Sequence, residues 1–511
     1  MTEQRLPPLS TTLNTSFITT RHTLKYRTAS SLKWNLVDRV ASQVLYAVTG
    51  VVLAILLSEE DFGLVGAVLI FQAFASLLVD SGFSYALLQR KRPSRLDYST
   101  VLWFNLMLAT ALYIVLFLCA PLIARCFQND LRLIGLSRVI LLSLIINASA
   151  IVPTNRLMKA MSVRRIAVSN AIGLTIGGAT GITLAVSGFG AWAIVWQSLV
   201  SAAVKSLVLW TSTSWRPVAR FSLTALRSYF GIGSKMMFTS FLNTVFLYIN
   251  SFLIGNRTGM VALGYYTQAD KWSKMGIMSI SQTLTSSFMP ALSAAQDNRP
   301  RYLAMMSKMN RFTAYLLYPA ILGLMLMAPQ IFHTLFGHKW DASIFLFQLL
   351  LFRGIFVILN SLYNNYLLGL GHGTAIVKLE ILRDVAAIIA LAVTLPYMGI
   401  ELPGDPVYGI AILLWGQIAA TLITWVATLL TTVGVTGARL GTFVKDNMTY
   451  FAQTAIIIPL MSFAAYWVGP AWLKLTVEIV VGLSLYIGGN HFFHSRIQHE
   501  VFAFFRGRGT L

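Results

Sequence analysis

Charge is scarce in this chain of 511 residues: Asp, Glu, Lys and Arg together make up 11% of it, and only 18 residues are acidic. A soluble chain of this size carries about 25% charged residues. With 56% hydrophobic residues and a mean hydropathy of +0.69, it has too little polar surface to cover itself in water. Its solvent is lipid. Cysteine is scarcer still. Cys119 and Cys126 are the two present, and no CxxC or CxxC-H pattern exists, so they read as small core residues. No GxxxxGK[ST] loop is present, which excludes ATP hydrolysis by this chain. No apolar segment opens the chain, so a cleavable signal peptide is not expected; residues 1–30 read as a polar cytoplasmic tail. No soluble domain offers a basic, aromatic patch, so the net charge of +21 does not point to nucleic acid. His491, His494 and His499 stand without carboxylate or cysteine partners in metal-ligand spacing, so neither metal nor cofactor is expected.

Long apolar runs are abundant. Fourteen can be read, near 34–57, 63–88, 99–123, 133–155, 163–186, 189–212, 231–254, 272–294, 310–329, 343–369, 374–396, 407–431, 450–468 and 472–494. Each approaches the roughly 20 residues a membrane helix needs. Alternating ten-residue segments, the mark of a barrel, are not seen. The expected class is therefore an all-α integral membrane protein with 14 transmembrane helices.

The bases explain the net charge. They gather before the first run (Lys25, Arg27, Lys33) and after the second (Arg90, Lys91, Arg92, Arg95). They recur after the fourth (Arg156, Lys159, Arg164, Arg165), the sixth (Arg216, Arg220, Arg227, Lys235) and the eighth (Arg299, Arg301, Lys308, Arg311). The alternate loops, such as "SEEDF" and "SGFG", lack them. This is the positive-inside pattern, and it predicts both termini in the cytoplasm. A weak internal repeat relates "SLKWNLVDRVASQVLYAVTGVVLAILLSEEDFGL" to "IGSKMMFTSFLNTVFLYINSFLIGNRTGMVALGY". It divides the chain into an N-lobe (31–215), a linker and C-lobe (216–432) and two appended helices with a tail (433–511). The linker "TSTSWRPVARFSLTALRSYF" is expected to include a short interfacial helix.

Three stretches, "LSEEDFGLVGAVLIFQAFASLLVDSGFSYALLQRK", "SGFGAWAIVWQSLVSAAVKSLVLW" and "SSFMPALSAAQDNRPRYLAMMSKMNR", resemble the Wzx-type polysaccharide flippases. These belong to the multidrug/oligosaccharidyl-lipid/polysaccharide (MOP) exporter superfamily, and the similarity is to the colanic-acid exporter-like branch. The resemblance implies two six-helix lobes in a V around a central cavity, in a bacterial inner membrane. It implies a cargo of undecaprenyl-pyrophosphate-linked oligosaccharide moved between leaflets, with other polysaccharide-assembly proteins as partners. A lipid II flippase and a cation-coupled multidrug exporter of the same superfamily are the nearest alternatives. A membrane-embedded polysaccharide polymerase or glycosyltransferase is a further one, disfavoured by short external loops and dispersed acids.

Such a cargo needs cations for its pyrophosphate and hydrogen-bonding groups for its sugars. An ionisable side chain at mid-span costs about 2.5–3.5 kcal/mol on insertion scales, so each is a candidate. Arg39 and Arg353 lie within runs and suit bidentate phosphate contacts; Lys205 and Lys235 lie at cytoplasmic ends. A snorkelling or paired Arg is the structural alternative. Asn243, Asn250, Gln282, Asn360 and Asn364, with Tyr363, Asn365 and Tyr366 beside them, are sugar-facing candidates. Asp80, Glu380, Arg383 and Asp384 are coupling or structural charges: an Asp80–Arg39 ion pair, a self-neutralising Glu380–Arg383 cluster, or an Na+ or H+ site. Asp270 and Lys274, spaced i,i+4, are expected to pair.

Overall fold

The computed structural model describes residues 12–80, 83–90, 93–400, 405–495 and 497–500. Side chains 12–29, 32, 85, 228, 230–236, 238–239, 282–287 and 289–291 are outside that description. The described chain is helical throughout, without a strand, in two compact units, residues 1–252 and 253–511. Eleven of its helical segments are long and apolar enough to cross a membrane. Large apolar side chains lie bare on their outer faces, among them Val186 and Phe463, each 70% exposed. In water such surfaces would aggregate; facing acyl chains they are at home. This is a multi-pass membrane protein.

The first unit opens with α1 (Thr12–Leu56), α2 (Glu59–Asp80), a short α3 (Phe83–Gln89), α4 (Arg95–Leu118) and α5 (Ala120–Cys126). α6 (Arg132–Ile140) and α7 (Ser143–Lys159) together make one span, followed by α8 (Val163–Val186), α9 (Ala191–Ser212) and α10 (Leu223–Thr258). α1 starts some twenty residues ahead of its apolar run, inside the stretch read as a tail. Ser94 starts α4 through a reciprocal capping box with Asp97, and Asp97 also meets Arg90 at 3.3 Å. At the opposite end of the unit, Arg132 bridges Glu60 on α2 (2.5 Å) and Asp130 (2.7 Å). The Arg132 hydrogen bonds hold the Asp130 carboxyl below its usual range.

α8 and α9 pack closely, because Gly173, Gly177 and Gly181 line their seam at four-residue spacing. A Cβ on Gly177 would lie 2.7 Å from the Gln197 carbonyl oxygen. Without a hydrophobic force between helices in lipid, such small-residue seams let backbones approach and gain dispersion contacts.

The linker has two parts: residues 213–222 run as a strap lashed to α4, and the helix begins at Leu223 as the first turns of α10. Ser99 Oγ accepts from the Val218 amide (2.9 Å), Thr100 Oγ1 accepts from Ser222 (3.2 Å), and Trp103 Nε1 donates to the Val218 carbonyl (2.9 Å). Pro217 and the polar flanks explain the extended path: proline lacks a donor, and α4 supplies partners for the backbone that a helix would otherwise satisfy. The compact unit therefore runs past 215 into α10. Tyr229 joins the Phe83–Tyr98–Trp215 core, and Phe241 and Phe252 meet the rings of Phe74 and Phe127.

The second unit contains α11 (Met260–Ala295), α12 (Arg299–Phe336), a 3-10 turn (His338–Trp340), α13 (Asp341–Gly369) and α14 (Gly373–Thr394). A second 3-10 turn (Leu395–Tyr397) leads to α15 (Tyr408–Thr436), α16 (Leu440–Tyr466) and α17 (Ala471–Phe492). α15 carries Thr421, Thr424, Thr428, Thr432 and Thr436, each bonded to the carbonyl four residues back. In this way a polar face satisfies itself inside an apolar span. Tyr466, Trp467 and Trp472 are exposed at the α16–α17 turn, where aromatic rings sit at a membrane interface.

Candidate functional site

Arg353 lies near the middle of α13, and its Nε donates to Thr421 Oγ1 on α15 at 3.1 Å. Among the described residues no carboxylate comes within 4 Å of it. The charged neighbours have found other partners. Asp270 on α11 takes Lys274 at 2.6 Å, as the i,i+4 spacing predicts. On α14, Arg383 pairs with both Glu380 and Asp384, the latter at 2.8 Å. That is the self-neutralising cluster. Tyr266, Asp270 and Arg383 still bias the Arg353 guanidinium through space.

Asn360 and Asn364 follow on the same helix. Seven and eleven residues on from Arg353, they fall within about 20° of its direction at 100° per residue. Both Oδ1 atoms are buried without a hydrogen-bond partner. A buried polar atom left unpaired costs roughly 1–3 kcal/mol, so a stripe of a guanidinium and two open amides is a face that wants company. Tyr363 and Tyr366, also sugar candidates by sequence, belong elsewhere. They are 1% and 0% exposed, and the Tyr366 hydroxyl bonds to Met306 O and Asn310 Oδ1 (both 3.2 Å). They are core residues of α12–α13 packing.

In the first unit the candidates separate. Arg39 is exposed on α1, with no ion-pair partner among the described residues. Asp80 accepts a 2.5 Å hydrogen bond from Ser84, whose Oγ accepts from Asn155. The Asp80–Arg39 pair is not formed: Ser84, one turn along, offers a neutral donor that costs no second buried charge. Instead Asp38, beside Arg39, accepts two bonds from Asn170 on α8 (3.0 and 3.1 Å) and faces Lys205 on α9 electrostatically. Asn243 is exposed on α10, whereas Asn250 is 5% exposed with an unpartnered Oδ1. The side chains of Lys235 and Gln282 lie outside the described residues.

Sequence reasoning passed over Thr421 and Asn170. The threonine ladder on α15 was visible as a three- and four-residue spacing; Asn170 had no such signal. A cavity of about 260 Å³ opens in the second unit, lined by Ser307, Asn310, Arg439, Thr442 and Asp446. It includes none of the predicted residues, and Ser307 already donates to Asp446 at 2.6 Å.

The helical fold is that of known membrane transporters. It superposes on the lipid II flippase MurJ in an inward closed conformation with a TM-score of 0.69, at 14% identity, over 90% of this chain and 100% of that one. It superposes on an inward-facing multidrug resistance MATE family transporter of the MOP superfamily with a TM-score of 0.57, at 16% identity, over 77% of this chain and 95% of that one. Residues 52–345 match the polysaccharide biosynthesis protein family, and the chain belongs to it. Two relatives are 25% identical. One is the lipopolysaccharide biosynthesis protein WzxC of Escherichia coli K12, matched over 65% of this chain and 68% of that protein. The other is the succinoglycan biosynthesis transport protein ExoT of Rhizobium meliloti, over 70% and 72%. The teichuronic acid biosynthesis protein TuaB of Bacillus subtilis is 22% identical over 67% of this chain and 71% of its own length.

Proposed function

We propose that this chain is a flippase that carries undecaprenyl-pyrophosphate-linked oligosaccharide repeat units across the bacterial inner membrane for surface polysaccharide biosynthesis. The observation that carries the reading is Arg353, a mid-span cation held by a neutral hydroxyl with two unsatisfied asparagines on its face. An intramembrane guanidinium without a carboxylate is stable beside water or an anion. A lipid pyrophosphate supplies that anion, and sugar hydroxyls supply donors for Asn360 and Asn364. A cationic drug would want the opposite charge there. Relatives named for lipopolysaccharide, succinoglycan and teichuronic acid synthesis support a polysaccharide precursor as cargo.

In this reading α10, α11 and α14 join the eleven candidate spans to give fourteen. Six fall in each lobe, α16 and α17 are appended, and both termini are cytoplasmic. Arg39, Lys205 and Lys235 form the cytoplasmic entry for the pyrophosphate. Asp80, which has no basic partner within 4 Å among the described residues, is the candidate for Na+ or H+ coupling. The test is deletion with complementation. Loss of the gene should deplete one surface polysaccharide and leave its lipid-linked repeat unit in the inner leaflet, restored by the intact chain. Rescue of a lipid II flippase depletion, with surface polysaccharide unchanged, would replace this cargo by lipid II.

A further inference from the structure

We propose that His333, His338 and Asp341 form a binding site for a divalent transition-metal ion, with Zn2+ the best match. The three lie where α12 turns into α13. His333 Nε2 is 2.9 Å from Asp341 Oδ1, and His338 Nδ1 is 3.4 Å from Asp341 Oδ2. The two imidazole rings are 4.4 Å apart at 44°. One ligand atom from each residue lies within 4.8 Å of the other two. A tetrahedral ion with bonds of 2.0–2.1 Å sets its ligand atoms roughly 3.3 Å apart, a spacing these side chains reach by rotamer adjustments of about 1.5 Å or less.

The ligands sit on a fixed frame. Gly337 takes φ +76°, a conformation in which any side chain is strained, and so turns the chain sharply between the two histidines. Trp340, 1% exposed, packs edge-on against Tyr265 and pins the 3-10 turn that carries His338. Ser343 Oγ donates to the Tyr265 carbonyl at 3.0 Å and fixes the first turn of α13 beside Asp341. His338 is mostly exposed, which leaves an entry path and a fourth position for water. Two imidazoles and one carboxylate, without thiolate, suit Zn2+ better than the hard cations Mg2+ or Ca2+. Sequence reading passed over this trio because the H-x4-H-x2-D spacing straddles a turn and matches no single-helix pair. The expectation of no metal came from the C-terminal histidines. The site stands independently of the flippase reading.

Zn2+ titrated by calorimetry into the full chain, purified in detergent with any polyhistidine tag removed, should show one saturable site. Co2+ in its place should give the visible absorption of a tetrahedral site. His338→Gln is a fold-safe variant, because this side chain is exposed. It should weaken Zn2+ binding by about tenfold or more and abolish the Co2+ band. Asp341→Asn should do the same, and a His491→Gln, His499→Gln double variant should leave both intact. Zn2+ should raise the unfolding temperature of the wild type and not of His338→Gln. Absence of saturable binding, or binding that His338→Gln leaves unchanged, overturns the proposal and leaves the trio a hydrogen-bonded turn.

Discussion

Arg353 is held by one neutral hydroxyl, and that makes its role separable from folding. Removing one member of a buried ion pair costs about 3–5 kcal/mol, because the other charge is stranded. Arg353 strands no carboxylate, only Thr421, whose hydroxyl already bonds to Gln417 O at 2.7 Å. Arg353→Ala should therefore accumulate in the membrane at close to normal levels yet fail to export polysaccharide. Arg353→Lys should retain part of the activity, since it keeps the charge and loses the bidentate fork. Thr421→Val, which removes the acceptor and keeps the volume, should lower export roughly tenfold, about the worth of one charged-group hydrogen bond. Export is read as surface polysaccharide per unit of membrane protein by immunoblot. Low protein levels in Arg353→Ala would make the residue structural; normal export would move the search to Arg39.

At the scale of elements, the α8–α9 seam is an exacting contact. Gly177→Leu forces the two backbones apart, because the atoms in the way, Ser201 Cβ and the Gln197 carbonyl oxygen, cannot rotate aside. It should destabilise the protein by about 2–3 kcal/mol. Gly488→Ala, on a face of α17 with nothing within 4 Å, should be neutral or slightly stabilising. Thermal unfolding of both in detergent checks the contrast. Glycines at four-residue spacing were plain in "NAIGLTIGGATGI", but which partner they faced was not, since spacing gives a face and not a neighbour. The Glu380–Arg383 and Asp270–Lys274 pairs were legible because both partners sit on one helix. The Asp80–Arg39 pair failed because it relied on depth across two helices, where a serine one turn away competes at shorter range. The strap over α4 was illegible for the same reason: its partners, Ser99, Thr100 and Trp103, are over a hundred residues distant in sequence.

For the molecule as a whole, the arrangement of bases sets the topology to be tested. In a cysteine-free background, with Cys119 and Cys126 replaced, a cysteine at Ser187 should react with an impermeant thiol reagent from outside. Ser187 is exposed at the end of α8. A cysteine at Ser214 should react only after the membrane is opened. Ser214 is exposed in the strap. The opposite pattern would invert the topology. Membrane-spanning helices were legible as apolar runs because a bilayer demands a fixed length: eleven of the fourteen runs are helices long and apolar enough to cross one. The partners of α10 were not, since it meets the first unit by ring contacts that no hydropathy profile reports.

The ion cluster on α14 has a consequence for how the protein is made. Lys378, Glu380, Arg383 and Asp384 fall within seven residues of a 22-residue helix. In the fourteen-span arrangement this helix is a poor client for the translocon while it emerges from the ribosome. Even with Arg383 neutralised by its neighbours, its charged side chains make it costlier to insert alone than α15, which carries none. α15, the most apolar of the neighbouring helices and packed along it, is synthesised only after a short loop. Nascent chains stopped just after α14 should therefore leave that helix outside the bilayer, and chains long enough to expose α15 should bring both in as a hairpin. Membrane entry at this point is then expected to be cooperative between successive helices, and a stopped chain that inserts α14 by itself would show that it is not.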